Sequence, residues 1–456
     1  MPHDPAVLEA VVKAYDVRGV TATHLTPALV HDLGVAAAEV LAAADRPFLI
    51  GRDMRPSSPA LVDAFASGLT GQGVDVIDLG LASTDLVSYA SGVLDAPAAM
   101  FTASHNPAAY NGIKLCRAGA VPVAIDTGLA DLRDRVLAGV PDARPDAERG
   151  ARTQRDLLGD FAAHVRSFVD VEVLRPVRVA VDAGNGMAGH VWPAVVEGLP
   201  IETTPLYFEL DGTFPNHPAN PLEPDNLRDL QAAVRDGGHA LGLAFDGDAD
   251  RVFAVDETGR SVASSLVGAV VADRLLRHHP GETVLHNLIC SRVVPETIEA
   301  AGGTAVRTRV GHSFIKRRMA ETGAIYAVEH SGHFYFRDHY RADSGLVAAL
   351  VLLEAVAEAD APLSEVIAPY DRYPSSGEIN LEVDDPGAAV DAVAAAFVGR
   401  GVADREDGLT VVVGDGWFNL RPSNTEPLLR LNVEGDDTAA LERLRDEVRS
   451  HLDATS

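Results

Sequence analysis

Apolar and polar positions follow two different patterns along the chain, and these patterns succeed each other repeatedly. From about residue 47, short apolar runs typical of strands, such as "PFLIG" and "VDVIDLG", alternate with longer stretches of helical periodicity, such as "PALVDAFASGLTGQG". Strands that alternate with amphipathic helices form parallel sheets covered by helices. The sequence therefore predicts that the first unit is α/β.

A stretch rich in proline, glycine and charge, residues 138–155, interrupts this pattern and predicts a linker. The α/β pattern restarts at "PVRVAVDAGNG" and again after the turn-like "DETGRS". Towards the C-terminus it changes to a strand, a helix, three short strands and a terminal helix. We expect three α/β units, 1–150, 151–257 and 258–370, and a smaller α+β unit, 371–456.

The composition indicates a folded protein of several domains. The chain has 456 residues, of which 47% are hydrophobic and 23% are charged, and this length suits three or four domains. The formal net charge of -28 repels polyanions, which argues against a nucleic acid or an anionic membrane as the main partner. A phosphate ligand would therefore need a local cationic pocket.

The N-terminus and the cysteine content predict a cytoplasmic protein. The N-terminal apolar stretch carries Asp4, Glu9 and Lys13, so we expect no secretion signal there. Two cysteines do not suggest a disulfide framework and favour a reducing compartment. The longest apolar run, 345–359, is interrupted by Glu354 and is too short to span a bilayer, so we expect a buried core helix.

The segment "LAFDGDADRVFAV" carries three carboxylates at alternating positions, Asp246, Asp248 and Asp250. Alternate residues of an extended or gently turned segment point to the same side. Three such carboxylates need a cation, and oxygen ligands select a hard ion, so Mg²⁺ is the leading candidate. A solvated acidic turn is the simpler alternative. An EF-hand loop is disfavoured because Arg251 stands where that loop needs glycine and both flanks are strand-like.

The segment "TASHNPAAYNGIK" places Ser104 directly before His105 and ends with Lys114, one of three lysines in the chain. The residues alone leave three roles open for Ser104: an acylating nucleophile, a phosphate carrier or a turn residue. A serine hydrolase is disfavoured, because neighbours in sequence rarely face each other and the G-x-S-x-G elbow is missing.

Two segments in the second half of the chain could bind a sugar phosphate. "YAVEHSGHFYF" brings Glu329, Ser331 and His333 to one side, which suits sugar hydroxyls and proton transfer, although a satisfied strand end is an equal alternative. "RPSNTEP" offers a guanidinium, hydroxyls and an amide that could surround a phosphate, although a polar turn would explain it when taken alone. Its candidate ligands are Arg421, Ser423, Asn424 and Thr425.

Two further segments carry candidate anion ligands. In "RVGHSFIKRRM", His312 is predicted to begin a helix with Ser313 as its cap, and a helix N-terminus attracts anions. The basic residues 316–318 that follow are predicted to form a solvated helix face. Near the N-terminus, "KAYDVRG" places Tyr15 and Arg18 beside a glycine.

Five segments together resemble the α-D-phosphohexomutases, and among them the bacterial phosphomannomutase/phosphoglucomutase branch. They are "YDVRG", "TASHNP", "DGDADR", "VEHSGH" and "RPSNTEP", and they follow one another in the family's order and rough spacing over essentially the whole chain. The resemblance implies three related α/β domains with mixed sheets flanked by helices, and a smaller C-terminal α+β domain, around a central active-site cleft.

The resemblance also implies an activity. The enzyme would interconvert hexose 1-phosphate and hexose 6-phosphate, with mannose and/or glucose as the hexose, through a phosphoserine and a hexose 1,6-bisphosphate that serves as activator. It would act as a monomer or homodimer with Mg²⁺. A phosphoglucosamine mutase shares these motifs and stays open as an alternative. A non-catalytic sugar-phosphate-binding protein is the more distant one, because it would need neither Ser104 nor three aspartates.

The same resemblance implies a role for each candidate residue. The phosphate carrier and the other metal ligands would be Ser104, Asp246, Asp248 and Asp250. The cations around the transferring phosphoryl group would be Arg18, Lys114 and Arg251. His333 would serve proton transfer. The substrate would be bound by Tyr15, His312, Glu329, Ser331, Arg421, Ser423, Asn424, Thr425 and Arg430.

The chain departs from the family pattern at a few positions. Val328 stands where a glycine is usual and His330 where this branch often has methionine, which affects the expected sugar preference. Ile289 stands where many relatives have a lysine. A positive contact to the substrate is therefore missing, or Arg292 supplies it.

Overall fold

The computed structural model describes residues 3–42, 46–422 and 428–453. Four sheets follow one another along these residues, with seven strands in the first and five in each of the others. Helices flank each sheet. The architecture is that of three α/β units with mixed sheets and a smaller C-terminal unit, as the sequence predicts.

The first sheet has the strand order β1-β5-β4-β2-β3-β7, and β6 pairs with β5. Its strands are β1 (Val17–Val20), β2 (Phe48–Arg52), β3 (Val76–Leu81), β4 (Ala98–Phe101), β5 (Tyr110–Arg117), β6 (Val121–Pro122) and β7 (Arg152–Gln154). Its helices are α1 (Pro5–Val11), α2 (Pro27–Val40), α3 (Ser58–Gly71), α4 (Thr84–Val93) and α5 (Ala130–Ala138). Because β7 pairs in parallel with β3, the end of the predicted linker is part of this sheet.

The second sheet has the order β12-β11-β10-β8-β9. Its elements are α6 (Leu158–Arg166), β8 (Val177–Asp182), α7 (Ala188–Val196), β9 (Ile201–Leu206), α8 (Arg228–Gly237), β10 (Leu241–Phe245), β11 (Val252–Asp256) and β12 (Ser261–Val262). Strands β10 and β11 form an antiparallel pair. The acidic segment 246–250 is therefore the connection of a hairpin whose two strands are fully buried.

The third sheet has the order β14-β13-β15-β16-β17. Its elements are α9 (Ser264–His278), β13 (Thr283–Asn287), α10 (Val293–Ala300), β14 (Thr304–Thr308), α11 (His312–Thr322), β15 (Tyr326–Val328), β16 (Phe334–Phe336), β17 (Ala342–Asp343), α12 (Gly345–Ala359) and α13 (Leu363–Ile367). The segment 329–333 connects β15 to its antiparallel neighbour β16.

The fourth sheet is antiparallel throughout, with the order β18-β22-β21-β20-β19. Its elements are β18 (Ser375–Leu381), α14 (Pro386–Ala396), β19 (Val402–Asp404), β20 (Leu409–Val413), β21 (Gly416–Pro422), β22 (Leu429–Gly435) and α15 (Thr438–Asp453). Four strands lie between its two helices, where the sequence predicts three. Strand β19 has only three residues and none of them is buried, so it shows little of the hydrophobic alternation by which strands are recognised.

One continuous hydrophobic core joins the first three units, and the fourth has a core of its own. Helix α12 is the predicted core helix, since Leu346 through Leu353 are almost completely buried. Glu354 is tolerated there because its carboxylate accepts a 2.6 Å hydrogen bond from Arg274, and a buried charge needs such a partner. Among the helices of the described ranges, none is long and apolar enough to cross a membrane.

Candidate active site

Ser104 lies in the loop after β4, at the boundary between the first and second units. Its φ of 49° is left-handed, which is uncommon for a residue with a side chain. The conformation is held by a 2.9 Å hydrogen bond from its backbone N–H to Oγ1 of Thr102. Its hydroxyl donates a 2.6 Å hydrogen bond to Oδ2 of Asp246. The serine is therefore fixed with its oxygen directed at the acidic hairpin.

Arg55 binds the backbone of the Ser104 loop, and it is a residue that the sequence did not indicate. Its guanidinium donates to the carbonyl oxygens of Ser104, Asn106, Pro107 and Tyr110 at 2.7–3.0 Å. The Nε donates to Asp53 at 3.1 Å. The side chain is completely buried, and a buried guanidinium needs this many acceptors. The signal in the sequence is the charged segment "GRDMRPSS" at the end of a buried strand.

The three aspartates of the hairpin converge as predicted. Each of Asp246, Asp248 and Asp250 has one carboxylate oxygen that lies within 4.8 Å of an oxygen of each of the other two. The three side chains are at most 1% exposed. Within the described part of the chain, Oδ1 of Asp248 and Oδ1 of Asp250 are buried without a hydrogen-bond partner. Unpartnered carboxylate oxygens in a cluster of hard ligands fit a divalent cation such as Mg²⁺.

Two cations balance part of this negative charge. Lys114 Nζ lies 2.7 Å from Oδ2 of Asp248 and 2.7 Å from Oδ2 of Asp250. The Nε and Nη2 of Arg251 donate to Asp246 at 2.9 and 2.7 Å. Lys114 is thus paired with the carboxylates, whereas the resemblance placed it on the phosphoryl group.

The pKa values of these groups follow from burial and from their partners. Burial raises the pKa of Asp246 to about 7, although Arg251 lowers it in part. Burial alone would also raise the pKa of Asp248, but Lys114 holds it well below the usual range. The same carboxylates raise the pKa of Lys114 against the effect of burial. Lys114 is therefore a permanent cation at this site.

Arg18 and Arg251 approach Ser104 from different elements. Nη2 of Arg251 lies 3.3 Å from Oγ of Ser104. Arg18, in β1, donates a 2.6 Å hydrogen bond to Oδ1 of Asn106, two residues after the serine. The strand β1 pairs with β5, so Arg18 lies opposite Gly112 and close to Lys114 in the sheet. The structure therefore brings three of the predicted cations to the Ser104 loop and the acidic hairpin.

The loop 329–333 faces the acidic hairpin from the third unit. An isolated antiparallel bridge pairs Arg251 with His333. His333 Nδ1 lies 3.0 Å from Oγ of Ser331, and its Nε2 lies 3.8 Å from Oδ1 of Asp250. Ser331 and His333 thus reach the site.

Glu329 is held by protein groups. Its carboxylate accepts hydrogen bonds from the backbone N–H of Gly311 at 3.2 Å and from the hydroxyl of Tyr335 at 2.6 Å. The residue is only 2% exposed. These bonds fix the loop 329–333 to the start of α11 and to β16, so the carboxylate is already engaged before any sugar binds.

His312 begins α11 as predicted, but the cap differs. The residue at the N-cap is Gly311, with a φ of 126°, and it makes no side-chain capping bond; Ser313 therefore lies inside the helix and is not the cap. Burial lowers the pKa of His312 to about 3, so its imidazole is neutral near pH 7. The ring of Tyr15 packs edge-on against it, with 5.3 Å between centroids.

The prediction that residues 316–318 form a solvated helix face is wrong for Lys316. Its Nζ lies 2.8 Å from Oδ1 of Asp343, and the two side chains are 10% and 5% exposed. Arg317 and Arg318 do lie at the surface. A cavity of about 60 Å³ is lined both by this ion pair and by Asp250 of the acidic hairpin. Its polar lining comes from Tyr15, Thr84, Ser88, Lys114, Asp250, His312, Lys316, His333 and Asp343.

The predicted phosphate-binding segment lies in the fourth unit, and Ser423, Asn424 and Thr425 are outside the described residues. Its two arginines flank that segment, because Arg421 in β21 is paired in register with Arg430 in β22. Each lies 3.2 Å from one carboxylate oxygen of Glu378. The structure thus brings both arginines together around an acidic residue that sequence reasoning missed.

The departures from the family pattern also have definite places. Ile289 and Leu288 pack against Trp417 of the fourth unit. Arg292, the alternative to the usual lysine, pairs with Glu434 and Asp436 at 3.1 and 2.7 Å. These contacts attach the fourth unit to the third.

His330 also contacts the fourth unit, since its Nε2 lies 3.7 Å from Oε2 of Glu378. Val328 is fully buried in β15. The hairpin of the second unit, the Ser104 loop of the first and the loop 329–333 of the third therefore share one site, and His330 links it to the arginines of the fourth. A serine hydroxyl beside buried carboxylates and several cations is suited to phosphoryl transfer.

Comparisons with known proteins agree. Models of the phosphoglucomutase/phosphomannomutase family match four parts of the chain: alpha/beta/alpha domains I, II and III at 9–136, 159–259 and 264–373, and the C-terminal domain at 378–451. The chain belongs to this family, and its activity is that of a hexose-phosphate mutase.

Individual relatives support the assignment. A protein of Xanthomonas campestris pv. campestris named "Phosphohexose mutases" is 40% identical over 444 residues, which cover 96% of this chain and 98% of the relative. A phosphomannomutase of Salmonella montevideo is 40% identical over 432 residues, covering 92% and 94%. The crystal structure of a phosphoglucomutase/phosphomannomutase family protein from Burkholderia thailandensis has a TM-score of 0.88 at 32% identity and covers 100% of this chain and 98% of its own.

Proposed function

We propose that this enzyme interconverts the 1-phosphate and 6-phosphate of a hexose, mannose and/or glucose, with Ser104 as the phosphate carrier. The observation that supports this role best is the 2.6 Å hydrogen bond from the Ser104 hydroxyl to Asp246. It places the oxygen that would carry the phosphate against a carboxylate cluster suited to a metal. A serine that served only a turn would not require three buried aspartates around it.

The metal would be Mg²⁺, held by Asp246, Asp248, Asp250 and an oxygen of the phosphate on Ser104. When bound, it supplies positive charge that a transferring phosphoryl group needs on its equatorial oxygens. The buried Oδ1 atoms of Asp248 and Asp250 support this ligand set. Lys114 would remain beside the metal ligands and offset their charge.

Arg251 and Arg18 would orient the phosphoryl group. Arg251 is 3.3 Å from the Ser104 oxygen and is nearly fully buried, so its charge is little screened by water. In the forward direction the bond between phosphorus and Oγ of the phosphoserine breaks as the phosphoryl group passes to the free 6-hydroxyl of hexose 1-phosphate. The hydroxyl proton passes to a base, and the Ser104 oxygen is protonated to a hydroxyl. His333 is the base we propose, because Ser331 holds one ring nitrogen and leaves the other towards the site.

The product of that step is hexose 1,6-bisphosphate. The phosphate at the 1-position must then be transferred to Ser104, which leaves hexose 6-phosphate, so the intermediate has to turn end over end in the cleft. Tyr15, His312 and Ser331 would contact the sugar phosphate, while Arg421 and Arg430, with Ser423, Asn424 and Thr425, would hold the phosphate that is not being transferred. We propose that the same bisphosphate, added in trace amounts, restores phosphoserine and activates the enzyme.

The sugar preference is tested by comparing mannose, glucose and glucosamine 1-phosphates in coupled assays with a trace of hexose 1,6-bisphosphate. We expect turnover of mannose 1-phosphate, glucose 1-phosphate or both to exceed that of glucosamine 1-phosphate. The reverse order would replace the proposal by a phosphoglucosamine mutase. Absence of turnover on all three sugars would favour a binding protein. A cytoplasmic location and a monomer or homodimer remain predictions from the sequence.

A further inference from the structure

Glu378 occupies the space between the two arginines that are assigned to the second phosphate. It lies in β18, which pairs with β22, while Arg421 and Arg430 face each other across β21 and β22. One of its oxygens is 3.2 Å from Arg421 and the other is 3.2 Å from Arg430. A single carboxylate thus bridges both guanidinium groups, as a phosphate would.

The arrangement is enclosed enough for the charges to matter. The side chain of Arg421 is 4% exposed and that of Glu378 is 23% exposed. Burial by itself raises the pKa of Glu378. His330 and the two arginines outweigh this effect and lower the pKa to about 2, so this carboxylate is ionised near neutral pH. A buried guanidinium without an anion is costly. Glu378 removes that cost when no phosphate is present.

Arg421 also belongs to the same cleft as the sugar-binding residues. Its charge and that of Glu329 both act on the hydroxyl of Tyr15, in the first unit. His330, adjacent to Glu329 in the loop of the third unit, lies 3.7 Å from Glu378. Glu378 is therefore placed where an incoming sugar phosphate would meet the arginines, and not in a separate surface pair.

We propose that Glu378 is an affinity-determining residue that competes with the substrate phosphate for Arg421 and Arg430. This inference rests on the proposed function, which assigns those arginines to the phosphate that is not being transferred. When the phosphate leaves, the carboxylate takes up both guanidinium groups. When a phosphate enters, the carboxylate shares them or retracts. The arginines thus have an anionic partner in both states.

A competing carboxylate suits the reaction because the bisphosphate must leave these arginines in every turnover in order to turn around. Binding a ligand equally tightly before and during the slow step does not accelerate that step, and excess affinity for an intermediate that must move slows it. Glu378 lowers the free energy of the state in which no phosphate is bound to the two arginines. It therefore lowers their affinity for the phosphate and favours reorientation of the intermediate.

The test uses Glu378→Gln, which removes the charge at nearly constant size. We expect KM for the hexose 1-phosphate and the inhibition constant of inorganic phosphate each to fall about tenfold, and kcat to fall as well, because the intermediate is released more slowly from the arginines. Glu382→Gln is the matched control, since Glu382 is an exposed carboxylate just after the same strand, and it should change none of these constants.

Weaker or unchanged inhibition by phosphate in Glu378→Gln would overturn the proposal and leave Glu378 as a residue that only positions the arginines. If that variant does not fold, Glu378→Asp serves instead, because it keeps the charge but shortens the side chain. The inhibition constant of inorganic phosphate should still fall, by a smaller factor. An unchanged or higher constant would contradict the proposal. Calorimetric titration of the wild type and the variant with inorganic phosphate measures binding without turnover. The proposed function is tested separately, because it would be refuted by a wild-type protein that turns over no hexose phosphate.

Discussion

The hydroxyl of Ser104 and the carboxylate of Asp246 are joined by a 2.6 Å hydrogen bond between two units of the fold. The backbones meet at the same point, because a Cβ at Gly247 would lie 2.5 Å from the carbonyl oxygen of Ser104. A side chain at position 247 would push the Ser104 loop away from the acidic hairpin. The distance between Ser104 and the acidic hairpin is therefore fixed by direct backbone contact.

Metal dependence is the first consequence. Removing divalent cations with a chelator should abolish turnover, and Mg²⁺ should restore it. Asp248→Asn should raise the Mg²⁺ concentration for half-maximal activity about tenfold or more, because a carboxylate binds a hard cation better than an amide does. The measurement is a Mg²⁺ titration of turnover. Asp225→Asn, at an exposed position, is the control, and equal Mg²⁺ requirements for both variants would contradict the metal site.

Arg55 should be needed for activity although it is buried behind the Ser104 loop. Arg55→Lys keeps a positive charge but cannot reach four carbonyl oxygens at once. We expect kcat to fall about a hundredfold, since displacement of a reacting group by about 1 Å costs that much, and the unfolding free energy to fall by about 3 kcal/mol. Steady-state kinetics and chemical denaturation measure the two effects.

The control for Arg55 is Arg149→Lys, because Arg149 is exposed and its side chain is 48% accessible. This variant should match the wild type in both measurements. If Arg55→Lys lost stability but kept its kcat, the arginine would support the fold without positioning Ser104.

Asp85 gives the stability a predictable dependence on pH. Its carboxylate is buried between the first and third units and accepts a 2.6 Å hydrogen bond from Ser344. Burial raises its pKa to about 7 from the usual 3.8 of an aspartate. Between these values the native state holds a proton that the unfolded state has lost, so stability falls as pH rises from about 4 through 7. The difference corresponds to roughly 4 kcal/mol.

Asp85→Asn removes this titration. The unfolding free energy of the variant relative to the wild type should therefore increase from pH 4 to pH 8, as measured by urea denaturation at several pH values. A difference that stays constant over this range would show that the pKa of Asp85 is not raised in the folded protein.

The buried pair of Lys316 and Asp343 should be strongly coupled. Lys316→Met leaves the Asp343 carboxylate buried without its cation, and we expect a loss of about 3 kcal/mol in unfolding free energy. Adding Asp343→Asn should recover part of this loss. Arg317→Met, on the exposed side of the same helix, should change stability little. If the double variant were no more stable than Lys316→Met alone, the two residues would not be coupled.

The parts of the site that the sequence predicts are those whose chemistry lies within a few consecutive residues. Asp246, Asp248 and Asp250 share one hairpin, so their spacing alone indicates a cation site. Ser104 is different, because its neighbours leave three roles open and only the family resemblance selects one. The alternation of strands and helices predicts the α/β units for the same local reason.

The residues that sequence reasoning missed act through contacts distant along the chain. Arg55 binds carbonyl oxygens about fifty residues away, and a backbone carbonyl has no sequence signature. Lys316 has the neighbours of a surface residue, but β17 brings Asp343 beside it. Glu378 becomes informative only when the fourth sheet places it between two arginines. Each of these pairings is decided by packing between elements, which local pattern does not record.

The phosphate carrier can be identified by intact-mass spectrometry of the purified protein after incubation with hexose 1,6-bisphosphate, followed by peptide mapping, with Ser104→Ala treated in parallel. We predict one added phosphate, located on Ser104. On incubation with unlabelled hexose 1-phosphate and Mg²⁺, an isotopically labelled phosphate on Ser104 should be replaced by the phosphate of the substrate, because each turnover transfers the 1-phosphate of the intermediate to the serine. Ser104→Ala should acquire no phosphate and should have no mutase activity. A phosphate on another residue, or a Ser104→Ala protein that keeps full activity, would contradict the assignment of Ser104.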